Sequence, residues 1–309
     1  MKQLCRVGFF VLAAYAGIGG LTNQVGAQVA EASLPDNPSP VGASPAGASP
    51  VGASLAGASW VDGWPAPSDE GAKGPERQIP ASPTEREATW KTLPGNFLHD
   101  QKDIWMFPVQ LAHGHYWVPT LVVAGFTAGL IYADPHAMPY FRKHATNWDD
   151  FNDTFDAYIT TGEVISLPAA LMASGYIRHD QRTVSSALLC AEAYGDSAIV
   201  DLVIKAVTRR QRPVDIPING NYRDTFFNGG KSPFHGSSFP SGHTTGVFSV
   251  ATVVANRYAR HRWVPFAAYG MAAVISMSRI TTAAHWPSDV FLGGALGYTV
   301  SKYQVLRPQ

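Results

Sequence analysis

The chain has 309 residues, 46% of them hydrophobic, and its 23 basic and 23 acidic side chains give a formal net charge of zero. That length and apolar content are enough to bury a full core, and the charge balance excludes a nucleic-acid binder driven by bulk attraction. Two cysteines, Cys5 and Cys190, exclude a disulfide scaffold.

Residues 1–27 read as a secretory signal. Lys2 and Arg6 precede an apolar run from Val7 to Leu21, and Val25, Gly26 and Ala27 make a small-residue cleavage site. The mature chain is expected to begin near Gln28 and to work outside the cytoplasm, in a periplasm or cell envelope. Cys5 would leave with the leader, and Cys190, in an apolar helical stretch, is expected to be a core thiol. Residues 28–91 are rich in Ala, Ser, Pro and Gly, with a five-residue repeat (VGASP, AGASP, VGASL, AGASW) from Val41 to Trp60. Such a segment has too little to bury against its ordering entropy and reads as a disordered tether.

Residues 92–309 form the expected folded domain. A short amphipathic element is expected in FLHDQKDIWMFP, followed by six apolar helices at about 116–132, 155–176, 183–208, 241–258, 263–280 and 286–304. Asp134-Pro135 is read as the end of the first and Pro213 as a stop after the third, with Pro287 in the first turn of the last. The expected fold is an all-α bundle of about six helices. The long connection from Gln211 to Phe239 joins two charged clusters, and loops of that length inside compact domains are usually functional.

Three clusters carry the chemistry. In KAVTRRQRP, Lys205 and Arg212 supply a point charge and a planar fork suited to phosphate oxygens, and Pro213 forces the chain to turn at Arg212. Arg209 and Arg210 beside them read by default as solvated charges at a helix end, the alternative being an extension of the anion field toward a phospholipid headgroup or diphosphate. In GSSFPSGH, small residues let backbone approach a ligand, and Ser241, Gly242 and His243 open a helix whose positive end favours an anion. In SRITTAAHWPSD, Arg279 ends a helix, and Asp289 stands four residues after His285 on the first turn of the next. A carboxylate there would accept a hydrogen bond from one imidazole nitrogen, leaving the other as a nucleophile. Each cluster alone has an ordinary explanation in helix-dipole complementarity.

Together, Lys205, Arg212 and Pro213, then Pro240, Ser241, Gly242 and His243, then Ser278, Arg279, His285 and Asp289 resemble the signature of the type 2 phosphatidic acid phosphatase and vanadium haloperoxidase superfamily. The resemblance covers about residues 115–304, and Ala284 stands where many members carry glycine. It implies a metal-independent phosphoric-ester hydrolase of the phosphatase branch. His285 would be the nucleophile, oriented by Asp289, and His243 the acid and base. Lys205, Arg212, Arg279, Ser241 and Gly242 would bind the phosphoryl oxygens. No metal and no cofactor is expected; vanadate enters only under the alternative of a haloperoxidase. A third alternative is a non-catalytic envelope protein whose tail does the work. The expected partner is a phosphorylated small molecule or lipid, with no nucleic acid. Phe226, Phe227 and Phe234 are weighed as a lipid-tail contact against ordinary packing, and His235 as a substrate contact.

Membrane topology has two readings. Nearly uncharged helices, with Arg178, Arg182, Arg257, Arg260, Arg262 and Lys302 at the ends away from the clusters, suit a six-span protein. A cleaved leader followed by three crossings would leave Lys205 and Arg212 in the cytoplasm, against that charge count. Glu192, Asp196 and Asp201 are costly in lipid unless they face inward. The preferred expectation is an extracytoplasmic bundle, soluble or membrane-associated.

Overall fold

The computed structural model describes residues 85–155, 157–229 and 237–307, and every regular element among them is helical. The leader, the repeat, Phe234 and His235 lie outside the described residues. Two short helices, α1 (Leu93–Trp105) and α2 (Phe107–Ala112), occupy the region of the expected amphipathic element. The long helices are α3 (Trp117–Lys143), α5 (Ala157–Arg178), α6 (Gln181–Thr208), α7 (Gly242–Arg257), α8 (Trp263–Thr281) and α9 (Pro287–Val300). A short α4 (Asp149–Thr154) precedes α5, and a π turn (Ser301–Val305) follows α9.

Helix α7 is the centre of the bundle and packs on α6, α8 and α9. Its core-facing residues, Val247, Val250, Val253 and Val254, meet Leu188 and Leu189 of α6, Leu171 of α5 and Ile275 of α8 in one buried cluster. Burial of such side chains contributes roughly 1.5–3 kcal/mol each. Cys190 belongs to this core, fully buried, and burial pushes its thiol up to about 12. Glycines let α9 lie close to α7: a Cβ on Gly293 would come within 2.7 Å of the Ser241 carbonyl oxygen.

Helix α3 does not stop at Asp134-Pro135 but runs on through Pro135 and Pro139 to Lys143. Each proline forfeits one helical hydrogen bond. Packing overrides the break, because Asp134 and Met138 on the inner side are both fully buried. The rest of α3 is largely exposed, including Val118, Leu121, Val122 and Phe126, and it is the one helix among the described residues long and apolar enough to cross a membrane.

Packing also begins ahead of the composition change at Thr92. Arg86 is buried and donates to Asp100 at 2.8 Å, to Glu192 at 2.6 Å, and to the carbonyls of Gln304 and Val305. Arg182 and Arg257, counted in the sequence among the charges at the helix ends away from the clusters, also make structural ion pairs. Arg182 pairs with Glu85 and Arg257 with Glu85 and Glu87, and Arg257 is buried. Glu192, Asp196 and Asp201 all face inward.

Candidate active site

The site forms where the C-terminus of α6, the N-terminus of α7 and the α8–α9 turn meet. On α6, Lys205 Nζ sits 2.5 Å from Asp201 Oδ2, an i,i+4 pair that fixes the ammonium. The ammonium faces the start of α7, since a Cβ on Gly242 would lie 2.8 Å from Lys205 Nζ. A larger residue at this position would push the ammonium aside. Helix α6 ends at Arg209, whose left-handed φ of 43° returns its N–H to the Lys205 carbonyl and turns the chain. Arg212 is extended (φ −75°, ψ 147°), as the following proline demands.

Helix α7 starts at Gly242 with Ser241 as its N-cap. The Ser241 N–H donates to the Asp289 carbonyl at 3.0 Å, tying the PSGH turn to α9. The Ser241 hydroxyl is buried and accepts from Thr244 Oγ1 at 3.0 Å. His243, the second residue of α7, is partly buried.

His285 is buried in the α8–α9 turn, and its N–H donates to the Arg279 carbonyl at 3.0 Å. Its Nδ1 is 2.8 Å from the Ser238 carbonyl oxygen, an acceptor only, so Nδ1 carries the proton and Nε2 is left with the lone pair. Asp289 Oδ2 lies farther off, 3.6 Å from Nδ1. The expected hydrogen bond from imidazole to Asp289 is thus made to the neighbouring main chain, with the carboxylate alongside. Burial, with the Lys205 and Arg212 charges adding to it, holds the imidazole pKa below its ordinary 6.5 against the pull of Asp289. The ring is neutral at neutral pH.

Asp289 is fully enclosed. The Trp286 N–H donates to its Oδ2 at 2.9 Å in a capping arrangement, the Ser238 hydroxyl donates to the same oxygen, and Arg210 Nη1 donates to Oδ1 at 2.7 Å. Burial raises the pKa of this carboxyl, but His285, Arg210 and Ser238 together outweigh it and hold it below its ordinary value.

Arg210 corrects the reading from sequence. It is not a solvated charge but is buried, with Nη1 also donating to Ser288 Oγ at 2.7 Å and Nη2 to Asp134 Oδ2 at 2.7 Å. Its guanidinium lies 4.6 Å from the ring centres of both Phe226 and Trp286. Phe226 is therefore packing, whereas Phe227 is exposed. Arg209 remains on the surface. Arg279 is buried, and its guanidinium donates to the Phe155 carbonyl and to Ser278 Oγ, placing it against the α4–α5 connection.

These contacts therefore join Lys205, Ser241, Gly242, His285 and Asp289 directly, and Arg279 through its main chain. Ser238, Ser288 and Asp134 were missed in the sequence. Ser238 lay inside GSSFPSGH and could have been weighed. Asp134 had only the signal of a carboxylate in an apolar helix.

Residues 186–307 match the model of the PAP2 superfamily. A stretch of 67 residues, 21% of this chain, is 40% identical to the lipid A 1-phosphatase of Porphyromonas gingivalis, and it spans 15% of that relative's length. Among solved structures, a transmembrane PAP2-type phosphatidylglycerolphosphate phosphatase from Bacillus subtilis aligns over 67% of this chain and 94% of its own, at 18% identity and a TM-score of 0.35.

Proposed function

We propose that the protein is a phosphatase that hydrolyses a lipid phosphate or another envelope phosphate ester through a phosphohistidine on His285, a reading supported by the match of residues 186–307 to the PAP2 superfamily model. The observation that carries this reading is the buried, neutral imidazole whose Nδ1–H is held by the Ser238 carbonyl, with Lys205 and Arg212 near enough to act on its charge.

The Nε2 lone pair attacks phosphorus, a P–N bond forms, and the P–O bond to the leaving group breaks. His243 protonates the departing oxygen, then takes a proton from the water that cleaves the P–N bond and releases phosphate. Lys205, Arg212, Arg279, the Ser241 hydroxyl and the Gly242 N–H stabilise charge on the equatorial oxygens. These side-chain cations fill the role a metal would otherwise have, and the proposed reaction needs neither metal nor cofactor.

A lipid substrate is supported by the likeness to the Porphyromonas lipid A 1-phosphatase and by the exposed apolar length of α3, which suits membrane association. The site is placed on the extracytoplasmic side, following the expected leader. Carbonate extraction of membranes and protease access in intact cells check that placement.

The decisive experiment offers phosphatidate, an isoprenyl diphosphate, lipid A and soluble monoesters to the purified protein, with and without a chelator. Phosphate release that survives chelation, together with an alkali-stable, acid-labile phosphoenzyme lost in His285→Ala, is expected. No release from any ester, with His285→Ala indistinguishable from the parent, would overturn the reading.

A further inference from the structure

Resting on the phosphatase reading, we propose that Asp134 and Arg210 are positioning residues for the reaction, holding Asp289 and Ser238 so that the His285 imidazole presents Nε2 to phosphorus. Asp134 belongs to α3, outside both the matched residues and the three sequence clusters.

Arg210 grips the surroundings of His285 from two sides. Its carbonyl accepts the Ser238 N–H at 2.7 Å, and its Nη1 donates to Asp289 Oδ1 at 2.7 Å. Asp289 in turn accepts from the Ser238 hydroxyl, and the Ser238 carbonyl takes the Nδ1–H of His285 at 2.8 Å. The position of the carbonyl that selects the tautomer thus depends on Arg210. Asp134 fixes the other half of the guanidinium through Nη2, and its carboxylate also receives Ser288 Oγ at 2.5 Å and the Ser288 N–H at 3.2 Å, in the first turn of α9. Phe226 and Trp286 on the guanidinium fix its plane. A planar fork shared between two carboxylates from different helices transmits a displacement of either one, which a point charge would not do. Burying an arginine this way gains little stability over well-packed apolar side chains, so stability alone does not account for it.

The test uses the full chain with Asp134→Asn, Arg210→Lys, Asp289→Asn and the Asp134→Asn/Asp289→Asn pair. For Asp134→Asn, kcat is expected to fall about 100-fold with KM unchanged, the size of a loss from misplaced reacting groups. In the Asp289→Asn background the same change should add little, because both act through one path. An unchanged kcat, or losses that multiply in the double variant, overturns the proposal. Nitrogen-15 NMR of the His285 ring gives a readout without turnover: the Nδ1–H tautomer is expected to lose its dominance in Asp134→Asn. If the wild-type chain releases phosphate from nothing, the functional reading fails and this spectrum alone decides; an unaltered tautomer then overturns the positioning role. Should Asp134→Asn not fold, Arg210→Lys carries the same measurements.

Discussion

Two buried clusters in this protein pair an arginine with carboxylates, and they differ in how completely the carboxylate oxygens are bonded. Around Arg210, every carboxylate oxygen is bonded: Asp134 by Arg210 and Ser288, Asp289 by Arg210, Ser238 and the Trp286 N–H. Around Arg86, one guanidinium faces Asp100 and Glu192, with Asp196 beside them, and Glu192 Oε2 and Asp196 Oδ2 find no hydrogen-bond partner. Burial, only partly opposed by Arg86, pushes Glu192 up to about 8; burial against Gln101 pushes Asp196 up to about 7. Asp289, by contrast, is held below its ordinary value. His285, Arg210 and Ser238 acting together hold Asp289 down against its burial, whereas Asp134, with Arg210 and Ser288 alone, is still pushed up by burial, as Glu192 and Asp196 are.

The largest test of this contrast is His285→Ala, expected to lower phosphate release by about 10⁴-fold or more, as removal of a nucleophile does. Retention of a tenth of the activity would end the assignment. Next, Arg86→Met should cost about 3–5 kcal/mol in urea unfolding, because it strands buried carboxylates. The kcat of the molecules that remain folded should not change, and a fall in kcat would mean the two clusters are not separate.

The pH dependence separates them further. For Glu192 and Asp196 the folded pKa is raised, so their contribution to stability is complete below their unfolded values near 4.5 and 3.8 and is lost as pH rises through about 8 and 7. Urea midpoints should therefore decline from pH 5 to 8.5, and Glu192→Gln with Asp196→Asn should flatten the slope. For His285 the folded pKa is lowered, so the acid limb of kcat/KM should fall below 6.5. A limb above 6.5 would contradict a neutral buried ring. The smallest effect concerns Cys190, which should react with a thiol reagent only on unfolding.

Much of the helical framework was legible. The apolar stretches at 183–208 and 241–258 match α6 and α7 closely, because their lengths and end residues are set locally. The three clusters named residues that the fold brings together, Lys205 beside Gly242 and His285 beside Asp289. Directions were not legible. Nothing in RRQRP tells which arginine turns inward after the left-handed residue at Arg209, and the one that does is Arg210. Likewise, the i,i+4 spacing of His285 and Asp289 places them together, but it could not say that the Ser238 carbonyl from another loop would come closer to the ring. Pro135 looked like a stop because local propensity was weighed without the burial of Asp134 and Met138.

The strap made by Arg86 has a practical corollary for anyone trimming the chain. A cut at Thr92, where the low-complexity stretch gives way, would strip the cation from Asp100 and Glu192 and free the carbonyls of Gln304 and Val305 at the other terminus. Glu85 and Glu87 would go with it, leaving Arg257 without either acid. A shortened protein that keeps its fold should begin no later than Glu85.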